Sequence, residues 1–148
     1  MSKLENSFVP NQIATNSYDG DLKVTLVEPS GTSSPANTEV DSTQPFDIVV
    51  DWDQKGTMVP GMYSAGATWD LEVLYEQRGT PIHNAGSLAP ALNPAVSPVP
   101  GHKYTETFNI PAGALPLGIY NIYVTLGFTS VTGARVNAFE ELSPLRVY

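Results

Sequence analysis

The sequence predicts an all-β protein: two antiparallel sheets stacked as a sandwich, with long loops. Three observations carry this expectation. Six or seven segments alternate apolar and polar residues with a period of two, the mark of half-buried strands. No segment repeats its apolar residues at helical spacing. The 12 Gly and 13 Pro of the 148 residues cluster between the alternating segments, where turns need them. A jelly roll is the alternative, since the loops leave room for a further strand. The length fits one domain, 21–148, preceded by an arm, 1–20, and burying about two-thirds of its unfolded surface.

Residues 1–20 are polar apart from isolated apolar residues such as Phe8, Val9 and Ile13. Such an arm either hangs free or lies as an added strand on a neighbour's open edge, with 7–14 as the segment that pairs. The first strand follows, with Leu22, Val24 and Leu26 alternating with Lys23 and Thr25. Pro29 to Pro45 is rich in Ser, Thr, Pro and Asn and reads as a long turn region. The second strand is the clearest. Phe46, Ile48, Val50 and Trp52 face one way, and Asp47, Val49, Asp51 and Asp53 the other. Residues 54–66 read as a loop. The third strand sets Trp69, Leu71, Val73 and Tyr75 against Asp70, Glu72, Leu74 and Glu76.

Residues 79–101 hold five prolines and no formal charge, which suits neither a linker nor a strand. Tyr104, Phe108 and Ile110 mark the fourth strand. Tyr120, Ile122, Val124, Leu126 and Phe128 mark a long fifth strand. The sixth begins at Arg135 and is interrupted near Pro144, which has no N–H for a ladder. The last piece, to Tyr148, is therefore an edge or resumes after a bulge.

Two features resemble immunoglobulin-like sandwiches as an architecture. Gly118-Ile119-Tyr120 at the head of the fifth strand resembles the tyrosine corner, in which a Tyr hydroxyl bonds back to nearby backbone. Trp69 resembles the core Trp of the third strand. The disulfide of antibody domains is missing, because there is no Cys. The resemblance covers roughly 21–148 and implies that the third, fifth and sixth strands share a sheet. It assigns no function, because sandwiches host many.

Composition excludes several classes. Acids outnumber Lys and Arg by 15 to 7, a formal charge of −8, so a nucleic-acid partner is not expected. The lack of Cys excludes thiolate catalysis and Cys-based zinc sites. No stretch is apolar for the ~18 residues of a membrane helix. The N-terminus lacks the apolar core of a secretory signal, so cytoplasmic synthesis is expected. There is no G-x-S-x-G elbow and no Gly-rich phosphate loop. His83 and His102 sit at the ends of the uncharged loop, either as a pair or as two exposed loop residues, in no metal-ligand spacing. Asp51 and Asp53 share a strand face near a loop and are a partial calcium candidate; otherwise they are a solvated face. No cofactor is expected.

Surfaces remain. Leu74, Ile119, Tyr123 and Phe139 fall on the outward phase of the shared sheet, as Val49 does elsewhere. A contiguous apolar patch there marks a contact site. Otherwise the loop 79–101 folds over it, anchored by Leu88, Leu92, Val96 and Val99. With Phe8 and Ile13 of the arm, these residues suggest a non-enzymatic structural or adaptor subunit. It would pack into a homo- or hetero-oligomer, with a viral or other particle among the settings that fit. The alternative is a module binding carbohydrate or a small ligand on exposed aromatics, for which Trp52 and Trp69 are the first candidates. Both are in phase with the core instead.

Overall fold

A pleated segment with one apolar face buries that face only by meeting another, and the chain does so with two sheets. A computed structural model describes residues 18–28, 39–79, 84–129, 133 and 135–148, with the backbone alone at 2–3, 5–6, 33–34 and 143. In chain order the elements are β1 (Ser2–Lys3), β2 (Glu5–Asn6), β3 (Asp19–Val27), β4 (Ser33–Ser34), β5 (Glu39–Val40) and β6 (Phe46–Lys55). They continue with a helical turn α1 (Val59–Met62), β7 (Asp70–Gln77), β8 (Ala85–Ser87), β9 (Lys103–Ile110), β10 (Gly118–Thr129) and β11 (Arg135–Val147). Sheet A runs β1-β3-β6-β9 with β4 also on β3, and sheet B runs β2-β11-β10-β7-β8 with β5 on β11. The β5–β11 pairing is parallel and the rest are antiparallel. The expected all-β sandwich is what forms, and the third, fifth and sixth predicted strands (β7, β10, β11) do share a sheet.

The core lies between the sheets and follows the predicted phases. Leu22, Val24, Leu26, Ile48, Val50 and Trp52 of sheet A are buried against Leu71, Val73, Ile122, Val124, Leu126 and Val136 of sheet B. An aromatic cluster fills one end. Trp52 stacks on Tyr104 at 5.0 Å between centroids and meets Trp69 edge-on at 5.8 Å, while Trp69 meets Phe128 at 4.6 Å. Edge-to-face pairs of this kind add about 0.5–1.5 kcal/mol beyond the area they bury. Tyr120 donates its hydroxyl to the Pro116 carbonyl oxygen at 2.7 Å, as the corner pattern predicts. The register of β10 against β11 slips between Tyr120 and Ile122, so β11 carries its bulge beside Pro144, where the missing N–H breaks no ladder.

Three loop expectations are corrected. The region 29–45 contains β4 and β5, and Val40 of β5 is buried. The region 54–66 begins inside β6 and then makes the turn α1, whose Val59 and Met62 plug the sandwich. The described part of 79–101 does not fold over the outer face of sheet B. It runs along the free edge of β7 instead, because that edge has backbone groups to satisfy. Leu88 N–H donates to the Val73 carbonyl at 2.9 Å, Leu71 and Leu92 exchange bonds at 3.0 and 2.9 Å, and Trp69 N–H donates to the Pro94 carbonyl at 2.8 Å. Prolines tolerate such an edge because they are asked only to accept. In the arm, β1 pairs with β3 and β2 with β11 of the same chain, so its start lies on both sheets.

Candidate functional site

The outer face of sheet B is built by the odd phase of three long strands. Register places it in rows. Leu74 of β7 stands directly opposite Tyr123 of β10, and Tyr123 directly opposite Glu141 of β11. The next row is Glu72, Thr125 and Phe139, and the row on the other side begins Glu76, Asn121. Further along come Ile119 and its neighbour Arg146. Phe139 is 59% exposed and Ile119 45%, while Leu74 and Tyr123 are half-buried. The inner phase of the same strands is shut: Val73, Ile122 and Val124 are fully buried. The expectation that Leu74, Tyr123 and Phe139 stand together is met, with Phe139 diagonal to Tyr123. Ile119 lies two rows away, at the end where Arg78 Nε donates to Asn121 Oδ1 at 2.6 Å and Arg146 pairs with Glu39 at 3.4 Å.

Other candidates go elsewhere. Leu88 and Val96 belong to the buried core and the half-buried Leu92 packs against it, so these three do not stand on the outer face of sheet B. The reason is the edge strap, which turns them inward between the sheets. Val99 is 57% exposed and anchors nothing. Phe8, Ile13 and His83 lie outside the described residues. His102 is exposed and meets the ring of Tyr104 edge-on at 4.6 Å. Trp52 and Trp69 are core residues and offer no stacking platform.

Asp51 and Asp53 lie on the outer face of sheet A beside a shallow depression of about 350 Å³ lined by Asp21, Lys23, Lys103 and Thr105. Their oxygens serve the sheet. Asp51 Oδ1 accepts from Thr105 Oγ1 at 2.7 Å, Asp53 Oδ1 from the Asp21 N–H at 3.2 Å, and Asp53 Oδ2 meets Lys55 Nζ at 3.4 Å. No group of three or more His, Cys, Asp or Glu among the described residues is placed to hold a metal ion. This face mixes Lys and Asp throughout, as a solvated sheet does.

Sequence reasoning missed a buried polar centre. Gln54 is 1% exposed, although it sits on the inner phase of β6 among apolar neighbours. Its Oε1 accepts from the Tyr18 hydroxyl at 3.0 Å, while its amide nitrogen and both indole nitrogens have no hydrogen-bond partner among the described residues. Burial, then Tyr104, Asp19 and Asp53, pushes the Tyr18 phenol well above the ordinary tyrosine range. The period-two pattern carries the signal: Gln54 continues the phase of Trp52.

No protein-family model and no curated protein sequence matches the chain. Among solved structures it is similar to part of a β-glucosidase from Listeria innocua, solved with isofagomine. That likeness has 13% identity and a TM-score of 0.44, over 90% of this chain and 16% of that one. It is also similar to the PmoD soluble domain of a Methylocystis species, at 16% identity and 0.42 over 86% and 90%. A third likeness is to Spo0M, a sporulation control protein of Bacillus subtilis, at 8% and 0.39 over 86% and 49%. The chain thus spans less than two-thirds of the glucosidase and of Spo0M, and the likeness is one of general β-rich shape.

Proposed function

We propose that the protein is a non-enzymatic contact subunit that packs into a larger protein assembly through the outer face of β7, β10 and β11. The observation that carries this is the side-by-side placement of Leu74 and Tyr123, with Phe139 59% exposed on the diagonal. Grouped apolar side chains on a solvent face mark contact surfaces, whereas scattered ones do not. The sheet order fits an immunoglobulin-like sandwich, with β3, β6 and β9 against β7, β10 and β11 and a tyrosine corner at Tyr120. Such a scaffold presents one open sheet face and suits an adaptor. Assembly as a component of a particle is one setting that this reading allows.

The test is native size. In extracts of its own host the chain should run in a complex well above its own mass. Tyr123→Glu with Phe139→Glu should release it, and Thr107→Glu on the opposite sheet should not. A monomer in the extract, or a complex indifferent to the face, contradicts the proposal.

A further inference from the structure

We infer that the partner of this face is a protein segment presenting one Lys or Arg between apolar side chains, with the cation seated over Tyr123. The inference rests on the contact-surface reading above. Tyr123 has Glu141 directly opposite it on β11, and β7 places Glu72 and Glu76 at its two diagonals. Directly opposite side chains have Cβ atoms about 5 Å apart and diagonal ones about 7–8 Å, within reach of long side chains. Three carboxylates therefore ring one tyrosine. None of the three has a hydrogen bond or ion pair with any described residue, and no Lys or Arg stands in the rows of Glu72 or Tyr123. Arg78, two residues along the chain from Glu76, donates its Nε to Asn121, the residue opposite Glu76, so a cation stands at that end of the ring and Glu72 and Glu141 are the carboxylates furthest from it.

An aromatic face inside a ring of carboxylates complements a cation on two counts. The ring quadrupole attracts it, and the carboxylates accept charge-assisted hydrogen bonds from it. Leu74 and Phe139 then meet the apolar residues that flank the cation. A second copy of the chain is a poor occupant. Each copy carries −8, and face-to-face docking would bring two such carboxylate rings together.

The test uses a displayed library of random twelve-residue peptides, selected on the full chain and counter-selected on Tyr123→Ser. The inference expects enriched peptides with Lys or Arg flanked by apolar residues. Made synthetically, they should bind at least tenfold more weakly to Glu72→Gln/Glu76→Gln/Glu141→Gln, and more weakly as salt rises. Circular dichroism of both variants should match the parent. Enrichment of neutral or acidic peptides that need Tyr123, or Tyr123-dependent dimers of the chain, would overturn the cation inference and leave the contact surface standing. No Tyr123-dependent binding of any kind would overturn both. Equal binding to the triple Gln variant would show that the carboxylates select nothing.

Discussion

Single residues decide how firmly the two sheets are joined. Tyr120 is buried, and its hydroxyl satisfies the Pro116 carbonyl at the crossing between sheets. Tyr120→Phe should lower unfolding stability by about 1 kcal/mol, the net worth of such a bond, read from urea midpoints. Gln54 and Tyr18 form a coupled pair. Gln54→Met leaves the Tyr18 hydroxyl unpaired, and Tyr18→Phe leaves the Gln54 oxygen unpaired. The double variant removes both orphans, so it should cost less than the sum of the singles by about 0.5–3 kcal/mol in a double-mutant cycle. Both phenols are held above the ordinary tyrosine range, Tyr18 by burial first and Tyr120 by burial and then Tyr75. The folded state keeps these protons where the unfolded chain loses them. The stability these two phenols contribute is therefore full below about pH 10 and falls as pH rises above it. Tyr18→Phe should flatten that alkaline fall. Such residues were partly legible: Tyr120 through its corner pattern, and Trp52 through its phase. Gln54 was not, because the second strand reads as ending at Asp53, although the phase of Trp52 runs on through it.

Strands carry the next level. β9 is the edge strand of sheet A, and Glu106 lies on its inner phase opposite Val50 rather than among the outward Thr105 and Thr107. An inward-phase charge on an edge strand discourages pairing with a second chain. Glu106→Val should therefore raise concentration-dependent association, seen by light scattering, while strand content stays the same. The strap along β7 is the counterpart on sheet B. Leu88→Ala should cost about 2–5 kcal/mol and speed proteolysis within 84–101, since Leu88 holds the strap to the core. The long strands were readable because alternation is local. The strap, β5 and α1 were not. The strap and β5 depend on backbone bonds to distant residues, as when Glu39 pairs with Arg146. The turn α1 is four residues long, too short to show a helical period.

At the scale of the whole molecule, the two outer faces differ in kind. Sheet A interleaves Lys23, Lys55 and Lys103 with its aspartates, and Asp51 and Asp53 are engaged by Thr105 and Lys55. Sheet B gathers Leu74, Tyr123 and Phe139 beside carboxylates that make no hydrogen bond or ion pair with a described residue. The phase of each strand made the outer apolar set readable from the sequence. Its arrangement in adjacent rows required the register, which no single strand contains. The central claim, that this face is covered in the working protein, is tested most directly by carbene footprinting of Tyr123 and Phe139 in the free chain and in its native assembly. Strong labelling of both when free, and protection of both when assembled with Thr105 and Thr107 unchanged, is the predicted result. Equal labelling of Tyr123 and Phe139 in the two states would contradict it.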